Sequence, residues 1–325
     1  MAFSLDEFGI EPAGVDAVRP FSVEGLDVRG RAVALGPVVE RILGRHDYPE
    51  PVSRLLAEAM VLTSLLGTSL KFQGRFTLQT QTDGPVSMLV VDFSSPDALR
   101  AYASFDAERV EEAVSSGNAT PQMLLGHGHL AMTIDQGRHM QRYQGLVELD
   151  GISLEEVARR YFARSEQIPT EVRLAVGEVF TRQAGEGPSH GWSAGGVLIQ
   201  FLPEAPDRMR APDLDPGDAP EGTKAHAVDE DDAWIEAKAL VDTVKDLELT
   251  DPDISVERLL FRLFHERGVR LFDPQPIEDR CQCSREKVAG VLNNFGSEEL
   301  ADMVVDDKIV VTCEFCSTRY EFDPK

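Results

Sequence analysis

The sequence predicts an α+β fold: an N-terminal core of mixed sheet and helix, a helical linker, and a small C-terminal zinc domain built on four cysteines. Three observations carry this expectation. Apolar residues alternate with period two in consecutive runs joined by turn residues, as at 74–82 and 86–93 on either side of Asp83-Gly84-Pro85. Helical periodicity interrupts these runs in blocks, which suits hairpins and meanders better than a doubly wound parallel sheet. All four cysteines fall in the last 45 residues, as Cys281-Gln282-Cys283 and, after 29 intervening residues, Cys313-Glu314-Phe315-Cys316.

Taken in order, residues 1–20 carry Pro12 and Pro20 and are expected to form a partly ordered arm. Residues 21–35 alternate through Val23, Leu26, Val28, Ala32 and Val33 and read as a strand. Helical spacing takes over at 37–43 and again at 51–70, where Val52, Leu55, Leu56, Ala59, Met60, Leu62, Thr63 and Leu66 recur at steps of three and four. Pro51 suits a first helical turn, whose amides have no partner within the helix. This helix is apolar around most of its circumference, so it belongs at the centre of the core.

Residues 72–93 read as two strands turned by Asp83-Gly84, and further strands are expected at 99–105, 128–134 and 143–149. The amphipathic segment 154–166 reads as a helix capped by Ser153, with Glu156 at its third position. Strands at 170–181 and 194–202 flank a Gly-rich loop at 183–191. Gly195-Gly196 is read as a tight backbone approach and not as a phosphate cradle.

Residues 203–232 hold ten Asp or Glu against three Arg or Lys, and five prolines. Such a stretch cannot bury enough apolar surface to offset its ordering, so a flexible acidic insertion is expected. Helical spacing returns over 233–272, with Trp234, Ala237, Leu240, Val241 and Val244 in a segment at 234–249 and Val256, Leu259, Leu260, Leu263 and Phe264 in a second at 255–265. Ser255 is the expected N-cap of the second, and Gly268 its stop. The domains expected are therefore a core at 1–202, the insertion at 203–232, a linker at 233–272 and the cysteine domain at 273–325.

Composition excludes several functions. A net charge of −24 repels nucleic-acid phosphates, which matters because zinc modules invite a DNA-binding reading. No apolar run reaches membrane-spanning length, and the N-terminus has no secretory pattern. Thiols without such a signal point to a cytoplasmic protein, where paired cysteines bind metal or do redox chemistry. The common nucleotide, zincin and hydrolase readings lack support, so no catalytic residue is assigned and a non-enzyme is expected. His127 and His129 flank Gly128 without a matching ligand, His139 and His190 sit in polar loops, and Arg164 with Glu166 either pair or simply cap a helix.

The cysteines remain. Two close pairs separated by a foldable segment present four thiolates to one tetrahedral zinc, at Zn–S distances of about 2.3 Å. A four-sulfur zinc has no open coordination position, so hydrolysis at the metal is disfavoured. The zinc is then either static and structural, or held by thiolates meant to be oxidised, and the residues alone leave both open. A module of this length cannot bury a self-sufficient core, so metal affinity of roughly 10–16 kcal/mol would be much of its folding energy.

The Cys-x-Cys, 29 residues, Cys-x-x-Cys pattern resembles the bacterial redox-regulated chaperone family Hsp33. Also similar are Cys281-Gln-Cys-Ser-Arg-Glu, Leu259-Leu-Phe-Arg-Leu-Phe-His-Glu and Phe272-Asp-Pro-Gln, with Tyr161-Phe-Ala-Arg-Ser-Glu-Gln-Ile-Pro-Thr, Arg142-Tyr-Gln-Gly and Ala194-Gly-Gly-Val-Leu in the core. The likeness runs from about residue 21 to the end. It implies an ATP-independent holdase in which Cys281, Cys283, Cys313 and Cys316 bind one Zn2+ per chain while reduced. On oxidation it implies disulfides Cys281–Cys283 and Cys313–Cys316, zinc release and unfolding of tail and linker. The linker helices would then expose Trp234, Leu240, Val244, Leu259, Leu260, Leu263 and Phe264 to unfolding client proteins. A monomer when reduced and a homodimer when oxidised is implied, with no nucleic acid or membrane partner. The acidic insertion and the Gly-rich loop depart from the usual family pattern. Two other readings stand beside this one: a constitutive structural-zinc interaction protein, and a thiol-disulfide oxidoreductase using Cys313 and Cys316. Asp306, Asp307 and Glu314 nearby disfavour the activated thiolate the last would need.

Overall fold

The computed structural model describes residues 11–69, 73–137, 143–182, 188–203 and 230–324. A hairpin of β1 (Ala17–Val23) and β2 (Val28–Leu35) is followed by α1 (Pro37–Leu43) and α2 (Glu50–Gly67). The meander β3 (Arg75–Thr82), β4 (Val86–Ser94) and β5 (Ala98–Phe105) leads to α3 (Ala107–Ser115), α4 (Pro121–Leu125), β6 (His127–Asp135) and β7 (Tyr143–Asp150). Then come α5 (Leu154–Tyr161), β8 (Thr170–Arg182) and β9 (Pro188–Phe201). Further on come α6 (Asp232–Asp242), α7 (Asp246–Thr250) and α8 (Val256–Phe264), and three short strands, β10 (Val269–Leu271), β11 (Gln275–Pro276) and β12 (Glu278–Asp279), of which β11 and β12 lie past residue 272. The chain ends with α9 (Arg285–Leu292), α10 (Ser297–Asp302), β13 (Val304–Val305), β14 (Lys308–Thr312) and β15 (Arg319–Phe322). The α+β class expected from the sequence is the class observed.

One sheet runs β10-β1-β2-β9-β8, with β11 also paired to β1; a second runs β12-β5-β4-β3-β6-β7; a third is β13-β14-β15. Between the two large sheets lies α2, whose Val52, Leu55, Leu56, Ala59, Met60, Leu62 and Leu65 are all fully buried. This is the central helix that its all-round apolar surface predicts.

The first sheet is buried on both faces. Its inner face gives Val18, Val33, Leu35, Val172, Leu174 and Leu198 to the core around α2. Its outer face gives Phe21, Val28, Ala32, Val197, Ile199 and Phe201 to a second core, which the linker helices complete. Successive residues of a strand point to opposite faces, so the continuous apolar runs in β1, β2 and β9 record this double burial. At Gly195 a side chain would place its Cβ 2.1 Å from the Leu249 carbonyl oxygen, and at Gly196 2.6 Å from Val61 Cγ1. The Gly195-Gly196 pair thus admits α7 on one face and α2 on the other.

Several boundaries differ from expectation. Residues 17–20 belong to β1 and not to an arm, and 21–35 is a hairpin and not one strand. A 3-10 turn at Glu24–Leu26 ends with Asp27 at φ 51°, and its apolar Leu26 is buried, which disguised the turn as continued alternation. The expected helix at 234–249 is broken into α6 and α7, because Lys245 is extended at ψ 148°. The helix from 154 ends at Tyr161 in a wider turn, closed by the Ile168 amide on the Phe162 carbonyl. Ser153 does cap α5 from the Glu156 amide, and Ser255 caps α8 from the Arg258 amide. Of the expected loop at 183–191, residues 188–191 pair as strand with β8 and 183–187 lie outside the described residues. So do 204–229 of the acidic insertion, Arg142, and His139. The short helices α3 and α4 were not anticipated; Asp106 and Thr120 cap them.

Candidate metal centre and the linker beside it

The Cys281 pair is delivered by the edge of the second sheet. Strand β12 runs parallel to β5, and the Arg280 amide donates to the Leu99 carbonyl at 3.1 Å, so the next residue emerges beside β5. Cys283 then precedes α9, which Ser284 caps. The second pair sits in the turn between β14 and β15, closed by the Cys313 amide on the Thr318 carbonyl and the Ser317 amide on the Cys313 carbonyl, with Ser317 at φ 55°. The turn folds both sulfurs to one side.

All four Sγ atoms lie within 4.8 Å of one another, and they form the one such cluster found among the described residues. Cys281 and Cys313 sulfurs are 3.8 Å apart, those of Cys283 and Cys316 3.3 Å. A tetrahedron with metal–sulfur bonds of about 2.3 Å has edges of about 3.8 Å, so the donor set fits a closed four-thiolate ion. No bridge joins these sulfurs. Burial pushes the Cys283 thiol up to about 12, although the Tyr320 hydroxyl donates to it at 3.1 Å. Burial also raises Cys313. Cys316 is lowered to about 7 despite its burial, by hydrogen bonds from the Thr318 hydroxyl and amide. The apolar content of the module is small: from 280 to 324 only Ile309 is buried among the described hydrophobic side chains.

The module rests on the second sheet through cations and aromatics. The Arg100 guanidinium stacks over the Phe315 ring at 4.0 Å, and its Nη1 lies 3.8 Å from Cys281 Sγ. Arg100 is itself held by buried Asp92, at 2.8 Å. The Tyr102 ring lies 6.3 Å from that of Phe315, and the Ser317 hydroxyl donates to the Arg45 carbonyl at 3.1 Å. Arg45 grips Asp279 with both guanidinium nitrogens, and this carboxylate, with the Cys316 and Cys281 sulfurs behind it, raises the Arg45 pKa.

Of the linker residues singled out from sequence, Trp234, Val244, Leu259, Leu260, Leu263 and Phe264 are buried, and Leu240 is partly buried. Trp234 packs 5.9 Å from Phe201 and Phe264 5.7 Å from Phe21, ring to ring. Sequence reasoning missed the polar contact beneath them. Glu257, fully buried on α8, accepts from Arg19 Nε at 2.8 Å and from the Ala13 amide at 2.9 Å. Arg19 also donates to the Phe272 and Glu11 carbonyls, so one guanidinium ties α8, the chain after β10 and the segment before β1. The available signal was an acidic residue beside the apolar stripe of α8, facing an arginine in an otherwise apolar strand.

Other candidates resolve differently. His127 is exposed between Asp83 and Asp150. Glu166 does not pair with Arg164; it accepts from the Tyr161 and Tyr143 hydroxyls at 3.1 and 3.3 Å. One G-x-S-x-G match, Gly191-Trp192-Ser193-Ala194-Gly195, escaped the sequence reading. It lies inside β9, with Ser193 opposite Gly177, and not at a strand-to-helix elbow. The strand period puts Ser193 and His190 on opposite faces, so they form no nucleophile–base pair. Among the described residues, no helix is long and apolar enough to cross a membrane.

Known proteins resemble this chain along most of its length. The sequence profile described as "Hsp33 protein" matches residues 16–323. The 33 kDa chaperonin of Caulobacter vibrioides (strain NA1000 / CB15N) is 46% identical over 312 residues, covering 95% of each chain. That of Ectopseudomonas mendocina (strain ymp) is 37% identical, covering 95% of this chain and 92% of the other. The crystal structure of the 33 kDa chaperonin from Thermotoga maritima superposes with a TM-score of 0.70 at 21% identity, over 95% of each chain, and so shares the fold. Profile, relatives, fold and the four-sulfur cluster agree: the chain belongs to the Hsp33 family.

Proposed function

We propose that the protein is an ATP-independent holdase chaperone, inactive while its four cysteines hold one zinc ion and activated when they are oxidised. The observation that carries this reading is where the sulfur cluster sits. It is joined to the helices α6 to α8 by a few residues, β10 to β12, which lie along the edges of both large sheets. The linker helices cover an apolar sheet face with apolar side chains of their own. A change that unfolds the cysteine module therefore acts directly on the segment that keeps both surfaces covered.

When bound, zinc keeps all four sulfurs as thiolates and closes their coordination shell. In each pair, one thiolate attacks an oxygen of hydrogen peroxide, forming a sulfenic acid and releasing hydroxide. Its partner thiolate displaces a second hydroxide and forms the S–S bond, so each disulfide passes two electrons to one peroxide. The pairs assigned are Cys281–Cys283 and Cys313–Cys316, which leave no thiolate for a metal. With its one buried apolar side chain, the module then lacks the means to stay folded. Its loss releases the contacts at Arg100 and Arg45 and frees the linker. Clients would meet Trp234, Leu240, Val244, Leu259, Leu260, Leu263 and Phe264, in a cytoplasmic protein that dimerises when oxidised.

The test is to treat reduced, zinc-loaded protein with peroxide at mild heat-shock temperature. Free zinc and the light scattering of a thermally unfolding client are followed together. Zinc release with suppressed aggregation is expected. Client aggregation that is equal with and without oxidant sinks the holdase reading. Zinc retained after oxidation favours a structural module, and reduction of insulin disulfides with turnover favours an oxidoreductase.

A further inference from the structure

Beyond the C-terminal end of α2 the two large sheets part, leaving a cleft of about 580 Å³. One wall is apolar: Phe76, Met132 and Ile134 from the second sheet, Leu66 from α2 and Phe162 from the turn after α5. The opposite wall carries Arg29 and Arg31, on the inner face of β2 in line with Val33 and Leu35. Neither guanidinium has a hydrogen bond or ion pair with a described residue; Arg29 is exposed, while Arg31 Nε is buried without a partner among the described residues. Burial alone lowers the Arg31 pKa, with no carboxylate to oppose it. The cleft does contain Glu166, but the Tyr161 and Tyr143 hydroxyls hold that carboxylate.

This is unusual in a chain with 56 acidic and 32 basic side chains. Buried cations are normally paired, since taking an unpaired charge out of water is costly. Half-buried Arg31, with exposed Arg29 beside it, faces this apolar and aromatic wall and is complementary to a ligand with one anionic head and an apolar body. A guanidinium fork matches a carboxylate in two-point geometry. The net charge of −24 disfavours multiply charged anions such as phosphates.

We propose that this cleft binds a medium-chain fatty acid, its carboxylate on Arg31 and Arg29 and its alkyl chain against Phe76, Met132, Ile134 and Phe162. The site lies in the core and does not depend on the holdase reading. It is tested on reduced, zinc-loaded, full-length protein without oxidant.

Calorimetric titration with decanoate below its micelle threshold is expected to show one site per chain. Acetate, lacking the body, and decyltrimethylammonium, with the wrong charge, should not bind it. Arg31→Met should weaken decanoate by about tenfold or more, as loss of a charge-assisted contact requires, while Arg31→Lys retains part of the affinity. Ile134→Glu, which puts a carboxylate on the apolar wall, should abolish binding. Circular dichroism of each variant separates loss of the site from loss of the fold. Should Arg31→Met not fold, Arg29→Met carries the same test. Equal binding of decanoate and decyltrimethylammonium overturns the proposal, as does undiminished binding by folded arginine variants. Equal affinity for decanoate and the chain-matched decyl phosphate overturns the carboxylate assignment.

Discussion

The helix α2 and the cysteine module are held in place by opposite means. Around α2 two sheets close on an apolar helix, and nearly every contact is made of carbon. In the module, one buried isoleucine is joined by four sulfurs and a few cation–aromatic contacts. The first kind of cohesion is indifferent to oxidants. On the proposed reading, the second depends on the oxidation state of four atoms. Two stabilities that respond to different variables can coexist in one chain, and the linker between them inherits whichever fails first.

The largest effect expected is loss of the module without loss of the core. Chelation, or Cys313→Ser, should remove much of the roughly 10–16 kcal/mol that such a metal contributes. Amide exchange should collapse over 281–324 while α2 keeps its protection. Simultaneous melting of α2 would break the contrast.

Next in size is Glu257→Ala. Removing one member of a buried pair leaves an uncompensated charge, here Arg19, and costs about 3–5 kcal/mol. Faster proteolysis within α6 to α8 at unchanged zinc content is the readout. The double variant Arg19→Met with Glu257→Met should recover much of the loss, because both charges leave together.

Arg100→Met should have a smaller effect, about 2 kcal/mol or less, by removing the cation under Phe315. Zinc should then be released faster at a fixed peroxide concentration, with the core melting temperature little changed, because Asp92 loses Arg100 but keeps the Thr77 hydroxyl and Arg75.

The last effect lies inside the core and appears only as pH is changed. Burial, with Glu155 and Asp246 nearby, raises Glu58 from 4.5 to about 7. A carboxyl with a raised folded-state pKa binds its proton more tightly when folded, so stability falls as pH rises from about 4.5 to 7. Glu58→Gln removes that dependence. Its melting temperature should exceed the parent's at pH 8 and match it near pH 4.5; the reverse order would discard the argument.

The sequence made some of this legible because the signals were local. Pairs of cysteines, the all-round apolar run of α2, the Ser153 and Ser255 caps and the Gly195-Gly196 approach are all readable within a few residues. What escaped depends on distant partners. The Arg19–Glu257 pair joins residues 238 apart. Arg100 gains its meaning only from Phe315 and Cys281. Strands β11 and β12 are two residues each, too short for any periodicity, and exist because β1 and β5 offer them an edge. The turn at Glu24–Leu26 was hidden by the same burial of Leu26 that stabilises it.

Those two short strands also define where the large sheets end. β1 is bordered on its outer side by β10 and β11, and β5 by β12. Eleven residues of chain, from Val269 to Asp279, therefore cap an exposed border on each of two separate sheets. Lifting that one ribbon would leave backbone amides and carbonyls unpaired along β1 and β5 together, and an open strand border is a template for any extended peptide. The fold thus stores two latent pairing surfaces beneath one removable hem.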